Sequence, residues 1–592
     1  MYHFRYLKNF SILISIIIVF MTLVILSYRK LSYISDINNV IPKISNPDIQ
    51  KYKDRESLWE TIAKDREKDL NLLQNDLLKA KDEINHLKTI LDLKAVKEEE
   101  KMQIIQLEKT LERLKNVQGK NGSISLSEIQ GGEPKDEINK ARRLKVKNMM
   151  KFAWNNYVKY AWGENELRPI SKIGHSASIF GQNKMGISII DSLDTLFIME
   201  LNDEFKVAAE WIKTKLKFDL KTEVSVFEMT IRFLGGLLTA FIFTKDEVFL
   251  YKAIELANNL LHAFDESGLP YALINFDNKF SHNYNWAEGG CAILSEIGTL
   301  HMEFAFLSEI TGNKTYINKV TRIREILYKA NKPQGIYMNY IQPKSHTWCG
   351  FHSSLAGLGD SFYEYLLKEY IRSNKKDKLA LKMYIAAIEA VKSSGMIATS
   401  KKGHMYMADF RRGIVQNKMD HLACFVGGMF ALGSIYTKNS LEWLTIGINI
   451  TNTCHDSYMY TDSKLGPESF HFSDSVEAVA IQPQEKIYLL RPETFESYFY
   501  LWRITKDQKY RDWAYDAVLA LEKHAMVTNG ISGIRDVYSV PVSHDDVQQS
   551  FLMAETLKYL YLIFSEDTLL PLNRWVFNTE AHPFPIRDLV HL

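Results

Sequence analysis

The sequence predicts an all-α-dominated protein: a membrane-crossing helix and a helical stalk ahead of one large domain of paired helices. Three observations carry this prediction. Residues 10–26 run from Phe10 to Leu26 without a charge. Residues 55–116 are rich in Glu, Lys, Asp and Leu and contain neither Gly nor Pro. From about residue 140 onward, amphipathic segments follow one another between short Gly, Asn or Asp loops, roughly fourteen helices or about seven pairs by apolar spacing. Examples are 224–243, 360–373, 418–435, 491–505 and 547–564. No sequence motif recurs at a fixed period, which argues against a consensus-repeat solenoid. A closed ring of such pairs would bury the C-terminal segment in its middle.

Composition sets broad limits. The chain has 592 residues, 46% hydrophobic and 24% charged, enough for a large core. A net charge of +2 implies no polyanion, so nucleic acid is not an expected partner. The four cysteines, Cys291, Cys349, Cys424 and Cys454, form no CxxC pair, which argues against zinc. An even count behind a membrane anchor permits one or two lumenal disulfides.

The apolar run is just long enough to span a bilayer. Ser27-Tyr28-Arg29-Lys30 follows it directly and offers no small-residue cleavage site, which favours an uncleaved anchor over a signal peptide. Arg5 and Lys8 on one side are balanced by Arg29 and Lys30 on the other, so charge leaves the orientation open. The sequons at Asn121, Asn313 and Asn449 give weak support to a lumenal main domain.

The stalk follows. Leu70, Leu73, Leu77, Ala80, Ile84, Leu87 and Leu91 alternate steps of three and four. Ile104, Leu107, Leu111 and Leu114 resume the spacing out of register. Two readings stand: a coiled coil making a homodimer through the stalk, or a single solvated helix. Gly119–Gly122 and Gly131–Pro134 then mark a flexible linker. The expected boundaries are a tail at 1–9, the anchor at 10–27, the stem at 28–140 and the main domain at 141–592.

Within that domain, acids interrupt apolar helical faces. Glu228 and Arg232 lie four apart on one face, where a structural ion pair is the competing reading. Asp360 stands where an N-cap belongs, ahead of an aromatic helix, but capping does not explain Glu364 one turn on. Pro492 suits a first helical turn, placing Arg491 and Glu493 at a helix mouth, where a Glu often only offsets the helix dipole. Phe551 and Glu555 share a face, as a sugar platform or as packing. The C-terminal run Phe577-Asn578-Thr579-Glu580-Ala581-His582-Pro583 is polar behind an apolar lead-in. Buried, its hydroxyl, carboxylate and carbonyls suit a hard cation such as Ca²⁺. The competing reading is a strand whose polar side chains face water. Carboxylates, Arg clamps, an aromatic platform and a cation site together are what inverting glycoside hydrolysis needs. No Gly-rich phosphate loop or nucleophile elbow is present.

Seven ordered motifs make the resemblance specific. They are Asp191-Ser192-Leu193-Asp194-Thr195-Leu196, Phe227 through Gly236, Gly357 through Leu367, His421-Leu422-Ala423-Cys424-Phe425, Leu490 through Glu496, Ala554 through Tyr561, and Phe577 through Pro583. From about Lys147 to Ile586 the sequence resembles the class I α-1,2-mannosidases, glycoside hydrolase family 47. The resemblance implies an (αα)7 barrel with a C-terminal β-hairpin entering it. It implies Ca²⁺-dependent, inverting removal of terminal α-1,2-linked mannose from high-mannose N-glycans on glycoproteins. By the same resemblance Glu228 and Asp360 are the acid candidates and Glu493 the base. Arg232, His421, Arg491, Phe551, Glu555 and Glu580 match sugar- or water-binding positions, and Thr579 matches the Ca²⁺ ligand. It also implies a Cys424–Cys454 disulfide, leaving Cys291 and Cys349 unassigned. The Leu358 position, with 534–538 and 545–550, resembles the Golgi-type subgroup. That implies a single-pass type II protein of the Golgi membrane with its catalytic domain lumenal. The alternative is a glycan-binding quality-control factor on the same fold, with little hydrolysis.

Overall fold

The computed structural model describes residues 122–591 apart from 178, 179 and 182, with scattered positions between 64 and 108. The chain divides into two units, Met1–Lys101 and Met102–Leu592. The anchor and nearly all of the stalk lie outside the described residues.

The second unit is built from helix pairs. Among the described residues, seven segments hold a helix that is buried on almost every side. They are Ile187–Ile198, 226–244, His301–Thr311, Asp360–Arg372, Val426–Ser434, Glu493–Thr505 and the stretch 552–563. Each packs on the next, and the last packs back on the first. Each also pairs with a helix buried along one stripe. In Lys378–Ser393 that stripe is Ala380, Met383, Tyr384, Ala387, Ile388 and Val391, the three-and-four spacing of a helix with one face in water. The first buried-stripe partner in the chain, Glu137–Ala161, packs on the last buried helix, Leu557–Ile563.

Several segments read as single helices are composite. The stretch 224–243 begins as a strand, Glu223–Ser225, and passes through a π-helical turn, Met229–Leu234, before Gly235–Thr244. The stretch 418–435 starts as a strand, Lys418–Asp420, and a 3-10 turn, His421–Phe425. Gly359, not Asp360, is the cap of its helix. The folded unit also begins before residue 141. Leu126–Ile129 is helical, Ile129 is buried, and the Gly132 carbonyl accepts the Glu566 amide, so these glycines serve a packed turn and not a free linker.

Near the C-terminus, Trp575–Phe577 pairs antiparallel with Pro583–Pro585, and both strands are buried. They pack on Asp360–Arg372 and Gly235–Thr244. The approach is close: a Cβ at Gly235 would lie 2.7 Å from Asn578 Nδ2, and one at Gly236 2.8 Å from the Ile190 carbonyl. Two glycines at this spot are therefore a packing requirement. Cys424 and Cys454 are disulfide-bonded, and so are Cys291 and Cys349, which the sequence left unassigned.

Candidate active site

Arg232 is the hub of the first half of the site. Its helix starts at Val226 because Ser225 caps it, the Ser225 Oγ accepting the Glu228 amide at 3.2 Å. Arg232 Nε donates to Glu228 Oε2 at 2.7 Å, and Nη1 pairs with Glu580 and lies 3.4 Å from Asp191 Oδ2. A surface i,i+4 pair would stop at the first of these bonds; this guanidinium is buried and gathers three acids. Its carbon sits 5.8 Å from the ring centroids of both Phe180 and Phe551. Burial, reinforced by Asp191 and Glu228, pushes Glu580 up to about 8 against the pull of Arg232.

The second half stands on Glu493, the first residue of its helix. His421 Nδ1 lies 2.7 Å from Glu493 Oε2, and His421 Nε2 lies 2.7 Å from the Tyr458 hydroxyl. An ionised carboxylate only accepts, so Nδ1 carries a proton and donates to Glu493, while Nε2 shares a second hydrogen bond with the Tyr458 hydroxyl. Burial alone would raise Glu493. The His421 hydrogen bond and the charges of His421 and Arg491 outweigh it and hold Glu493 below the usual carboxylate range. Arg491 itself grips Glu468 with two nitrogens, Nε at 2.6 Å.

Asp360 has the opposite environment. It opens its helix behind Leu358, which sits at φ +81°, and Gly359, where a Cβ would come 2.1 Å from the Ser354 carbonyl. Its Oδ1 accepts the Ser361 amide at 2.8 Å. Burial, then the charges of Glu364 and Glu493, push it up to about 7.

Beneath these groups lies a carboxylate-rich floor. Glu555 is driven well up by burial and by Glu580, Glu493 and Glu496. Glu496 is pushed up to about 8 by burial despite Lys368, whose Nζ lies 3.4 Å away. Glu303 is raised to about 7 by burial; one oxygen accepts from Tyr365 at 2.5 Å and Asn578 at 2.9 Å, while the other has no partner. Thr579 sits at the tip of the buried strand pair, half-exposed, its amide 3.4 Å from the Tyr365 hydroxyl. Asn578, Glu580 and His582 are buried, so the reading of a solvent-facing strand fails. More carboxylates are buried here than Arg232 and Lys368 neutralise, and an orphaned oxygen remains. That is the donor chemistry a hard cation fits.

The structure thus brings Glu228, Arg232, Phe551 and Glu580 together, and brings His421, Glu493 and Arg491 close to Asp360. Four further acids join them without having been singled out as site residues: Glu166, Asp191, Glu296 and Glu303. Glu166 is raised to about 7 by burial, and the partly buried Glu296 to about 8 by loss of solvent and the charge of Glu228. The signal that marks Glu228, an acid in an apolar helical stretch, is equally present at Asp191, Glu296 and Glu303.

Comparison with known proteins agrees with this geometry. Residues 149–586 match the model of glycosyl hydrolase family 47. The chain is 52% identical over 466 residues to human mannosyl-oligosaccharide 1,2-alpha-mannosidase IB, covering 78% of this chain and 72% of the relative. It is 52% identical over 462 residues to mannosyl-oligosaccharide alpha-1,2-mannosidase IA of Drosophila melanogaster, covering 77% and 69%. Among solved structures it is similar to an alpha-1,2-mannosidase from Trichoderma reesei, with a TM-score of 0.69 and 29% identity over 76% of this chain and 99% of that one. With a family match across well over half its length and relatives this similar, the chain belongs to glycosyl hydrolase family 47.

Proposed function

We propose that this protein hydrolyses terminal α-1,2-linked mannose from high-mannose N-glycans, with inversion and with Ca²⁺ bound. The observation that carries the chemistry is the split in acidity between two partly buried carboxyls. Asp360 is held protonated toward neutral pH while Glu493 is held ionised, which suits one to give a proton and the other to take one. Glu493, positioned by His421, removes a proton from the attacking water. Asp360 delivers one to the leaving oxygen; Glu228 is engaged by Arg232 and steadies that side. Arg232, Arg491 and Phe551 orient the sugar. A glycan-binding factor without turnover would have no use for the split.

The residues suited to hold the cation are Thr579, through hydroxyl and carbonyl, with Glu555 and Glu580 holding coordinating waters. Bound there, Ca²⁺ supplies positive charge and oxygen-coordination positions for water and sugar hydroxyls. The helix order, each buried helix on the next and the last on the first, supports a seven-pair (αα)7 barrel with the strand pair as a hairpin on its axis. The uncharged run at 10–27 and two disulfides, which persist in oxidising compartments, support a type II Golgi protein with this unit lumenal.

The test is incubation of the full chain, in detergent, with a high-mannose N-glycan, with and without chelator. Mannose release as the β-anomer, abolished by chelator and restored by Ca²⁺, is the expected result. α-Mannose as the first product would contradict inversion; glycan binding without release would move the protein to the lectin reading.

A further inference from the structure

The Cys291–Cys349 disulfide joins parts of the chain 58 residues apart, and it lies off the main core. Around it is a separate apolar cluster with only Ala287, Cys291, Ile293 and Tyr340 buried, edged by Tyr284, Cys349 and Leu358. So small a cluster contributes little hydrophobic stabilisation beside the main core.

What the cluster carries is chemically important. Residues Ala292–Ile293 pair with Tyr340–Ile341, the Cys349 amide donates to the Tyr340 carbonyl at 2.9 Å, and the Leu294 amide donates to the Asn339 carbonyl at 2.8 Å. One residue on, the Ser295 amide donates to the Leu358 carbonyl at 3.0 Å. Leu358 is in the left-handed region, which a branched side chain occupies only when its surroundings hold it there. Asp360 follows two residues later. Glu296 follows Ser295; it is partly buried near Glu228, with one buried oxygen unpartnered. One small platform therefore aims both Asp360 and Glu296.

We propose that the Cys291–Cys349 disulfide is a positioning element of the active site, fixing the platform that aims Asp360 and Glu296 at the reacting groups. This rests on the mannosidase reading above. Its role is aim and not folding. Independently of the bond, Asn283 accepts the Ala272 amide at 2.9 Å and donates to the Gly290 carbonyl at 2.9 Å, anchoring the loop to the fold. The two disulfides also differ in access. Cys349 is partly exposed, whereas Cys424 and Cys454 are fully buried, so a small thiol reaches the first bond before the second.

The experiment treats the folded full chain with increasing dithiothreitol. Free thiols are mapped by alkylation while kcat, KM and the thermal midpoint are followed. Expected is labelling of Cys291 and Cys349 first, with kcat falling about 10²-fold as the acids lose their aim. KM should change less, the melting transition should stay cooperative, and reoxidation should restore turnover. The double variant Cys291→Ala/Cys349→Ala should show the same loss in kcat. Full turnover with both thiols labelled, or in the double variant, would overturn the proposal. So would loss of turnover only in step with loss of the melting transition, or finding both cysteines free in untreated protein. If untreated protein releases no mannose at all, it is the mannosidase reading that fails.

Discussion

Asp360 and Glu493 stand at the first turns of two different helices, yet their surroundings move their acidities apart. Glu493 is held down by His421 and Arg491, so it is ionised from below the ordinary glutamate value of about 4.3 upward. Asp360 keeps its proton up to about 7. The kcat/KM profile should therefore be bell-shaped, rising on an acidic limb below the usual Glu range and falling on an alkaline limb near 7. Asp360→Asn should lower kcat by about 10²–10⁴-fold and abolish the alkaline limb; Glu493→Gln should cost a similar factor and abolish the acidic one. An unchanged alkaline limb in Asp360→Asn would move the proton donor to another group. In the sequence each acid stands out at the start of an aromatic helix, where capping or dipole compensation competes, and only the family resemblance names them as acid and base candidates. Their acidities are not legible there. They depend on His421 and Arg491 for one and on burial with the charges of Glu364 and Glu493 for the other, and spacing along one helix does not reveal how deeply a side chain is buried or which groups other segments bring to it.

The strand pair Trp575–Phe577 and Pro583–Pro585 illustrates the same division. Its polar turn stands out in the sequence, but neither its burial nor the group that holds it is settled there. Lys558 Nζ, fully buried, donates to Asp194 Oδ2 at 2.7 Å and to the Ala581 carbonyl at 2.7 Å. His582 Nδ1 lies 3.2 Å from the same Asp194 oxygen. Ala581 has φ +59°, a conformation that costs energy in a residue other than glycine and persists because these bonds fix its carbonyl. Lys558→Met removes one partner of a buried pair and strands the other, so it should destabilise by about 3–5 kcal/mol. Denaturant unfolding of Lys558→Met, Asp194→Asn and the double variant should show strong coupling, the second change costing far less than the first. Independent, additive losses would show that the pair does not hold the turn. Composite helices were misread for a related reason. An apolar run such as 418–435 does not distinguish strand from helix. Lys418–Asp420 becomes a strand because Ser469–Phe472, half a hundred residues away by order of magnitude, lies beside it.

Across the whole domain, the site leaves a mark on stability. Glu166, Glu303 and Asp360 are each raised to about 7 and Glu296 to about 8, all chiefly by burial. An unfolded chain ionises these groups near 4, at about 3.9 for Asp and 4.3 for Glu. Between those values and the folded ones, the native state binds more protons than the unfolded state. Stability contributed by these acids is therefore complete below about pH 4 and is lost as pH rises toward about 8. The formal net charge of only +2 supplies no large global repulsion to mask the trend. In chelator, the thermal midpoint should fall between about pH 5 and pH 8, by more than in a variant with Glu296→Gln. Adding Ca²⁺ should raise the midpoint, and most at the alkaline end, because a cation binds the ionised carboxylates of the native floor and not their protonated forms. Calorimetric scans at the two pH values, with and without Ca²⁺, measure this directly. A midpoint in chelator that rose with pH would mean these acids are ionised in the folded protein and stabilised by cationic side chains such as Arg232, contrary to the rise that burial gives them.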